Sequence, residues 1–278
     1  MRILYATDGS EGALAAARLL RGLDLKGGDE IVLLTVAGSG EEAEGQYRLE
    51  RTAAALQSSP ARLSQAMDCG TAAEVVLRRT EELNPDLIAL GSRGLNAVAR
   101  FLLGSVAERV VCHAPCPVLV ARPLSGDLDR VVVGIDGSDT ALRAARFVRE
   151  LPLPSHCEVL LATALPFYQA GGTPAGRVPS LAAQLHALQV WEKEEARVRL
   201  EEVAAAFREV GRPVSTEFRQ RHPAEGLLEI AEEQRADLMV IGRQGLSRIE
   251  RFCMGSVSLN VLRHAGCSVL VVPESRSA

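Results

Sequence analysis

The chain has 278 residues, 47% of them hydrophobic and 24% charged, and a formal net charge of -4. This composition is typical of a globular protein with room for two domains. The negative net charge disfavours binding to nucleic-acid phosphates. No apolar run approaches the ~20 residues of a membrane span. The opening MRILYATDGS is typical of a strand rather than a signal peptide. We therefore expect a cytoplasmic protein with neither nucleic-acid nor membrane partners.

In chain order, apolar β-branched runs alternate with amphipathic helical patterns. The predicted strands of the first half are Arg2 to Ala6, Ile31 to Val36, about Ala61 to Met67, Leu87 to Leu90 and Val118 to Ala121. The predicted helices are Glu11 to Arg21, roughly Glu42 to Gln57, Ala72 to Leu83 and Ser105 to Cys112. Strands that are apolar throughout and joined by helices indicate a parallel sheet covered on both faces. The pattern predicts an open five-stranded α/β domain.

The second half repeats the first. The segment around Asp8 matches the segment around Asp136 at an offset of 128 residues, whereas later segments match at an offset of 151. The second half therefore carries about 23 extra residues. We place them in Phe167 to Glu195, as a loop that leads into a helix and serves either as a lid or as a surface elaboration. The predicted domains are residues 1–123 and 129–274.

Each half carries a Gly-x-x-Gly turn after its fourth strand, followed after nine intervening residues by Gly-Ser at the head of a helix. The two copies are Gly91, Gly94, Gly104, Ser105 and Gly242, Gly245, Gly255, Ser256. Glycine lets backbone amides approach a ligand, and a helix N-terminus favours phosphate oxygens. The motif therefore predicts a phosphate cradle in each half. The alternative is that these glycines only end strands or let helices pack closely.

An aspartate ends the first strand of each half, Asp8 in one and Asp136 in the other. Ligands of doubly wound sheets bind outside the carboxyl ends of the strands, where strand order reverses. We therefore expect each aspartate to face its glycine motif across one crevice. The carboxylate can accept ribose hydroxyl bonds, cap the next helix or act as a general base. Neither half has a matching histidine or second acid at motif spacing, which favours binding over catalysis.

The sequence also predicts roles for the cysteines, for two arginines and for one tryptophan. The six cysteines, without a complete set of four metal ligands, indicate structural thiols rather than a disulfide framework or a metal site. Arg93 lies inside the first Gly-x-x-Gly turn and is the preferred arginine contact to phosphate, ahead of Arg243 beside the second turn. Trp191, alone among charges in a predicted helix, is expected to be a packing residue.

The DGS ending of the first strand, the G-x2-G-x9-G-S motif and HAPCPVLV before the last strand resemble the universal stress protein family, in a tandem two-domain form. This resemblance covers nearly the whole chain. It implies two domains of the adenine-nucleotide alpha-hydrolase-like fold with strand order 3-2-1-4-5. It also implies an internal pseudo-dimer in which Val118 to Ala121 pairs with Val269 to Val272. Both halves keep the full glycine motif, which implies the subgroup that binds ATP.

The resemblance also assigns roles to individual residues. In the first half, Ala6, Thr7, Asp8, Val36, Leu90 and Gly91 would meet adenine and ribose, and Gly94, Gly104, Ser105 and Val106 would hold the phosphates. In the second half the same roles fall to Gly134, Ile135, Asp136, Thr163, Ile241, Gly242, Gly245, Gly255, Ser256 and Val257. Thr163 replaces Val36 there with a one-residue shift in offset.

We expect from these patterns an ATP-binding, nucleotide-responsive stress factor without efficient turnover, filled in one or both halves. Mg²⁺ would be held through the phosphates. The main alternative is a slow Mg²⁺-dependent ATPase or phosphotransferase in the same crevice, and a second is an AMP or flavin binder on the same fold. The sequence leaves further homodimerisation open.

Overall fold

The computed structural model describes residues 1–38, 40–92, 103–123, 127–166, 179–245 and 254–274. The first half comprises β1 (Arg2–Ala6), α1 (Glu11–Arg21), β2 (Glu30–Ala37), α2 (Glu42–Ala55), β3 (Arg62–Cys69), α3 (Ala72–Leu83), β4 (Leu87–Gly91), α4 (Ser105–His113) and β5 (Val118–Ala121). The second comprises β6 (Arg130–Gly134), α5 (Asp139–Glu150), β7 (Glu158–Leu165), α6 (Pro179–Glu209), β8 (Val214–Gln220), α7 (Pro223–Glu233), β9 (Leu238–Gly242), α8 (Ser256–His264) and β10 (Ser268–Val272). All first-half elements predicted from the sequence are present.

The ten strands form one sheet in the order β3-β2-β1-β4-β5-β10-β9-β6-β7-β8. Each half keeps the predicted order 3-2-1-4-5 with parallel pairing. The halves join where β5 and β10 run antiparallel, with Val120 opposite Val269 and Leu119 opposite Leu270. We call this junction the seam. The predicted fold class and the pairing of the last strands across the two halves are confirmed.

The inner strands of the sheet are buried on both faces because they send alternate apolar side chains to opposite sides, whereas the edge strands β3 and β8 are polar and partly exposed. Ile3 and Tyr5 join the core layer that also contains α1, α2, α5 and α6 residues. Leu4 joins the second layer, with residues of α3, α4, α7 and α8. A strand covered on both sides has no polar face, which explains the continuous apolar runs in the sequence. Among the described helices, none is long and apolar enough to cross a membrane.

The DGS tripeptide forms the turn between the first strand of each half and the helix after it. The Asp8 carboxylate accepts a hydrogen bond from the Ser10 amide at 3.0 Å, and the Ser10 hydroxyl accepts one from the Ala13 amide at 3.1 Å, capping α1. Gly9 between them has a φ of +71°, a left-handed conformation that favours glycine. The second half repeats this turn around Gly137, with a φ of +85°.

The Ser10 cap of α1 should contribute measurably to the free energy of unfolding. Ser10→Ala should lower the free energy of unfolding by about 1 kcal/mol, because the Ala13 amide loses its acceptor. Ser105→Ala is the matched control, since Ser105 is exposed and lies at the start of a helix without a side-chain cap. Urea denaturation would compare them. Equal losses in the two variants would contradict the capping role of Ser10.

The additional residues of the second half lengthen a helix. Helix α6 has 31 residues, whereas its counterpart α2 has 14; residues 167–178 of the predicted insert lie outside the described chain. The core face of α6 carries Leu200 and Phe207, but Trp191 is 60% exposed, so its assignment as a packing residue is wrong. The main contacts of α6 are with β7 and β8, on the sheet face opposite α8.

Candidate functional site

The two ends of the first glycine motif meet at the carboxyl end of β4. The Ser92 amide donates to the Ala121 carbonyl at 2.8 Å, and the Gly104 amide donates to the Ser92 carbonyl at 2.8 Å. The residue after β4 is therefore tied both to the end of β5 and to the start of α4. Arg93 and Gly94, predicted as phosphate contacts, lie outside the described residues.

The second half closes its glycine motif in the same way. The Arg243 amide donates to the Val272 carbonyl at 2.7 Å, and the Gly255 amide donates to the Arg243 carbonyl at 2.9 Å. These are the counterparts of the first-half bonds at the offset of 151 residues. Both halves therefore hold the start of a helix against the end of the fourth strand by the same pair of main-chain bonds.

The helices that begin at these closures lack a side-chain cap. Gly104 precedes α4 and Gly255 precedes α8, and neither helix start has a side-chain cap hydrogen bond. Helices α1 and α5 are capped by Ser10 and Ser138, whereas α2, α3 and α7 also lack a side-chain cap. An uncapped helix start leaves its first amides without an intrahelical or side-chain acceptor. Together with the positive end of the helix dipole, this is an arrangement suited to an anionic ligand.

The exposure of the helix starts makes them accessible. Ser105 and Ser256, the first residues of α4 and α8, are exposed. Val106 is 37% exposed, and Val257 is partly exposed. The family resemblance assigns these four residues to the phosphates. The two serines and the two valines lie at the surface, next to the main-chain bonds that close each glycine motif.

In the second half the aspartate lies against the glycine motif, as expected. One carboxylate oxygen of Asp136 accepts from the Ser138 amide at 2.9 Å. The other lies 2.5 Å from the position that a Cβ on Gly245 would occupy. A side chain at residue 245 would therefore collide with the carboxylate. Glycine at this position therefore allows the close approach of the Asp136 carboxylate.

Two of the predicted ligand glycines are required by helix packing. A Cβ on Gly91 would lie 2.5 Å from the carbonyl carbon of Gly12 in α1, and a Cβ on Gly242 would lie 2.5 Å from the Thr140 hydroxyl oxygen in α5. Such distances exclude any side chain without movement of the helix. The packing alternative therefore accounts for these two glycines, whereas the nearest neighbours of a Cβ on Gly255 would lie at 3.5 Å, an ordinary contact distance.

Several predicted base and ribose contacts have side chains turned into the core. Leu90, Ile135 and Ile241 are at most 4% exposed, and Gly134 is buried beneath Leu227. Such residues offer only main-chain atoms to a ligand at the strand ends.

Thr7 is also engaged with the protein itself. Its hydroxyl lies 2.9 Å from the Thr52 hydroxyl and accepts from the Gly9 amide at 3.1 Å. Ala6 and Val36, by contrast, are partly exposed at the ends of β1 and β2. The side chains best placed for a ligand in this part of the first half are therefore those of Ala6, Asp8 and Val36.

The assignment of Thr163 as the counterpart of Val36 is wrong by one residue. Leu34 pairs with Ala6 in the first half, and Ala162 pairs with Gly134 in the second. The offset of 128 residues thus continues through β7, and Val36 corresponds to Ala164. The Thr163 side chain is buried and donates to the Ile135 carbonyl at 2.5 Å. The one-residue shift is not visible in the sequence, because a strand that is apolar throughout has no polar alternation by which the two halves could be aligned.

The Arg243 side chain crosses the seam rather than facing the second crevice. Its guanidinium donates to the carbonyls of Cys112 at 3.1 Å and Ala114 at 2.9 Å, at the C-terminal end of α4. Burial lowers the pKa of this guanidinium, and its Nε lies buried without a hydrogen-bond partner. Its candidacy as a phosphate contact is therefore not supported.

Two further residues next to the glycine motifs were not predicted from the sequence. Arg122, next to the end of β5, donates to the Leu262 carbonyl at 2.6 Å in the other half. Ser258 in α8 donates to the Gly242 carbonyl at 2.7 Å. No sequence motif marks either residue, since each bond joins segments that meet only in the folded chain.

The cysteines are divided in their environment. Cys157 and Cys267 are buried, and burial raises the pKa of each thiol to about 11, as expected of structural thiols. Cys69 is exposed, and Cys112 is disulfide-bonded. The expectation of free, buried thiols is therefore wrong at these two positions, because spacing along the chain does not reveal a pairing or an exposure that the fold creates.

The chain is similar to proteins of one family along almost its whole length. The model of the universal stress protein family matches residues 1–122 and again residues 128–273. A universal stress protein of Methanocaldococcus jannaschii is 32% identical over 147 residues, which cover 53% of this chain and 83% of the relative. A putative universal stress protein of Staphylococcus aureus is 41% identical over 83 residues, which cover 30% of this chain and 48% of the relative.

Solved structures share the fold of both halves together. A universal stress protein from Archaeoglobus fulgidus superposes with a TM-score of 0.68 at 21% identity, covering 100% of this chain and 97% of that one. A protein of unknown function from Pseudomonas aeruginosa gives a TM-score of 0.63 at 21% identity, covering 98% and 92%. The family model fits each half separately, and the chain therefore belongs to the universal stress protein family.

Proposed function

We propose that the chain binds ATP outside the carboxyl ends of its strands, in one or both halves, and acts in the cytoplasm as a nucleotide-responsive stress factor. The observation that carries this proposal is the repeated helix start. In each half an uncapped, exposed helix N-terminus is tied to the end of the fourth strand by the same main-chain bonds. A polyphosphate suits this arrangement because it supplies the acceptors that the helix amides lack.

The residues present fit the remaining parts of the nucleotide. The Asp136 oxygen beside Gly245 is placed to accept hydrogen bonds from ribose hydroxyls, with its other oxygen held by the DGS turn. Asp8 has the same turn in the first half. The main chain near Val36, and near Ala164 in the second half, would meet the base. Mg²⁺ would be held through the phosphates and would neutralise part of their charge.

The described surroundings of the aspartate support binding without efficient turnover. The described hydrogen bonds of the Asp136 carboxylate are to the DGS turn, and they include no histidine or second carboxyl group that would hold it as a general base. The rival is a slow Mg²⁺-dependent ATPase or phosphotransferase. Single-turnover release of γ-phosphate by the wild type and by Asp8→Asn would distinguish them. Rapid release that the substitution abolishes would overturn the non-enzymatic proposal.

Calorimetric titration with ATP tests the sites directly. Gly104 and Gly255 have φ values of -68° and -67°, which any residue adopts, so valine there introduces no backbone strain. Its branched side chain would occupy the phosphate position. We expect each of Gly104→Val and Gly255→Val to weaken one site by at least about 10-fold, since charged hydrogen bonds of 1.5–3 kcal/mol are lost.

Gly266→Ala is the control, because its Cβ position has no neighbour within 4 Å and it lies away from both helix starts. Unchanged two-site binding in both valine variants would overturn the site assignment. Tighter binding of AMP than of ATP, or a bound flavin, would replace ATP as the ligand.

A further inference from the structure

Arg243 closes one candidate site and contacts the far end of the helix that begins at the other. Its carbonyl accepts the Gly255 amide and so closes the second glycine motif. Its guanidinium donates to the Cys112 and Ala114 carbonyls, at the C-terminal end of α4 in the first half. One residue therefore combines the main-chain closure of one site with a side-chain contact to the helix of the other.

The opposite end of α4 is the first candidate site. The helix has nine residues and is therefore about 13 Å long. An anion at a helix N-terminus and a cation at its C-terminus both interact favourably with the same helix dipole. A nucleotide phosphate at Ser105 and the Arg243 guanidinium at Ala114 would thus reinforce each other through α4.

Arg122 makes the reciprocal connection. It follows Ala121, whose carbonyl accepts the Ser92 amide and closes the first glycine motif. Its guanidinium donates to the Leu262 carbonyl at 2.6 Å and to the Cys267 carbonyl at 3.2 Å. Leu262 lies near the C-terminal end of α8, and Cys267 follows the helix. The start of α8 is the second candidate site. The two connections run in opposite directions across the seam.

We infer that Arg243 and Arg122 are positioning residues that couple the two sites, so that a nucleotide in one half strengthens binding in the other. The inference rests on the proposed function. A phosphate at the start of α4 would hold that helix and, through its C-terminal carbonyls, the Arg243 guanidinium. The Arg243 backbone would then keep the Gly255 amide in place before the second nucleotide arrives. Because coupling of binding is reciprocal, the Arg122 connection has the same sign.

A third contact across the seam supplies the control. Arg263 of α8 donates to Glu108 of α4 at 2.8 Å, and both side chains are substantially exposed. This ion pair joins the same two helices, but it involves neither glycine-motif closure. Arg263→Met should therefore alter the seam without altering the coupling.

The binding experiment measures ATP affinity of the second site with the first site intact or disabled by Gly104→Val. In the wild-type background, disabling the first site should weaken the second at least about 5-fold, the lower end of typical coupling. In the Arg243→Met background the two values should agree, whereas Arg263→Met should retain the difference. Arg243→Lys keeps the charge and should retain part of it. Independent sites in the wild type, a single filled site, or undiminished coupling in Arg243→Met would overturn the inference.

Hydrogen exchange without nucleotide separates this inference from the proposed function. Loss of the Arg243 guanidinium should accelerate exchange of the Gly104 and Glu108 amides at the far end of α4, both of which are hydrogen-bonded. Arg263→Met should not do so. Unchanged exchange at these amides in both Arg243→Met and Arg243→Lys would overturn the coupling even if ATP binds. Accelerated exchange together with no ATP binding would overturn the proposed function and leave the mechanical link standing.

Discussion

Gly91→Ala is expected to lower the free energy of unfolding by about 3 kcal/mol, although it adds a single methyl group. The new Cβ would lie 2.5 Å from the Gly12 carbonyl carbon and 2.7 Å from the Ala13 amide nitrogen. These are main-chain atoms of α1, which no side-chain rotation can move. The helix must therefore shift away from β4, and the contacts that bury its apolar face are weakened.

Urea denaturation followed by circular dichroism would measure this loss. Gly242→Ala should cost less, because its nearest obstacle is the Thr140 side chain rather than main chain alone. Gly266→Ala serves as the control, since it has no close neighbour and no left-handed φ. If Gly91→Ala were as stable as the control, the close approach of α1 to β4 would be incorrect.

This distinction between glycines is what the sequence could not provide. Gly91 and Gly255 belong to two copies of one motif. The first is required by the close approach of a neighbouring helix, whereas a Cβ on the second would lie 3.5 Å from its nearest neighbours, an ordinary contact distance. The residue type is the same in both cases because glycine, which lacks a Cβ, permits the close approach of either a helix or a ligand. Which object comes close is decided by tertiary structure, so the motif alone left packing and ligand binding as alternatives.

The fold itself was predictable because its determinants are local or repeated. Apolar strand runs, amphipathic helices and the duplicated DGS turn each fix a short segment, and the order of the strands came with the family resemblance. The turn illustrates this best: Asp8, Gly9 and Ser10 each have a local structural reason. A pattern whose cause lies within four residues can be read from the chain.

The seam contacts were not predictable for the opposite reason. Arg243 and Cys112 are separated by 131 positions in the sequence, and a main-chain carbonyl at the end of a helix leaves no trace in the sequence. The same holds for the Arg122 bond to Leu262. An arginine beside a glycine motif indicates a phosphate contact until the fold shows that the other half of the chain lies closer.

Val269→Asp is expected to be the most disruptive single change at the seam, with a loss of about 4 kcal/mol at neutral pH. Val269 is fully buried opposite Val120, where β10 and β5 meet. A carboxylate there would be removed from water without a cation among its strand neighbours. Val210→Asp is the matched control, because Val210 is 58% exposed and the same substitution leaves the charge in water.

The pH dependence of this loss identifies its cause. Burial disfavours the charged form, so the pKa of the introduced carboxyl should be raised in the folded state above its unfolded value of about 3.9. The folded protein then binds the proton more tightly, and the variant is least destabilised at low pH and increasingly so as pH rises through the raised pKa. Urea denaturation of both variants at acidic and neutral pH would measure the difference. A gap between Val269→Asp and Val210→Asp that did not widen with pH would show that the seam at Val269 is open to water, contrary to a continuous ten-stranded sheet.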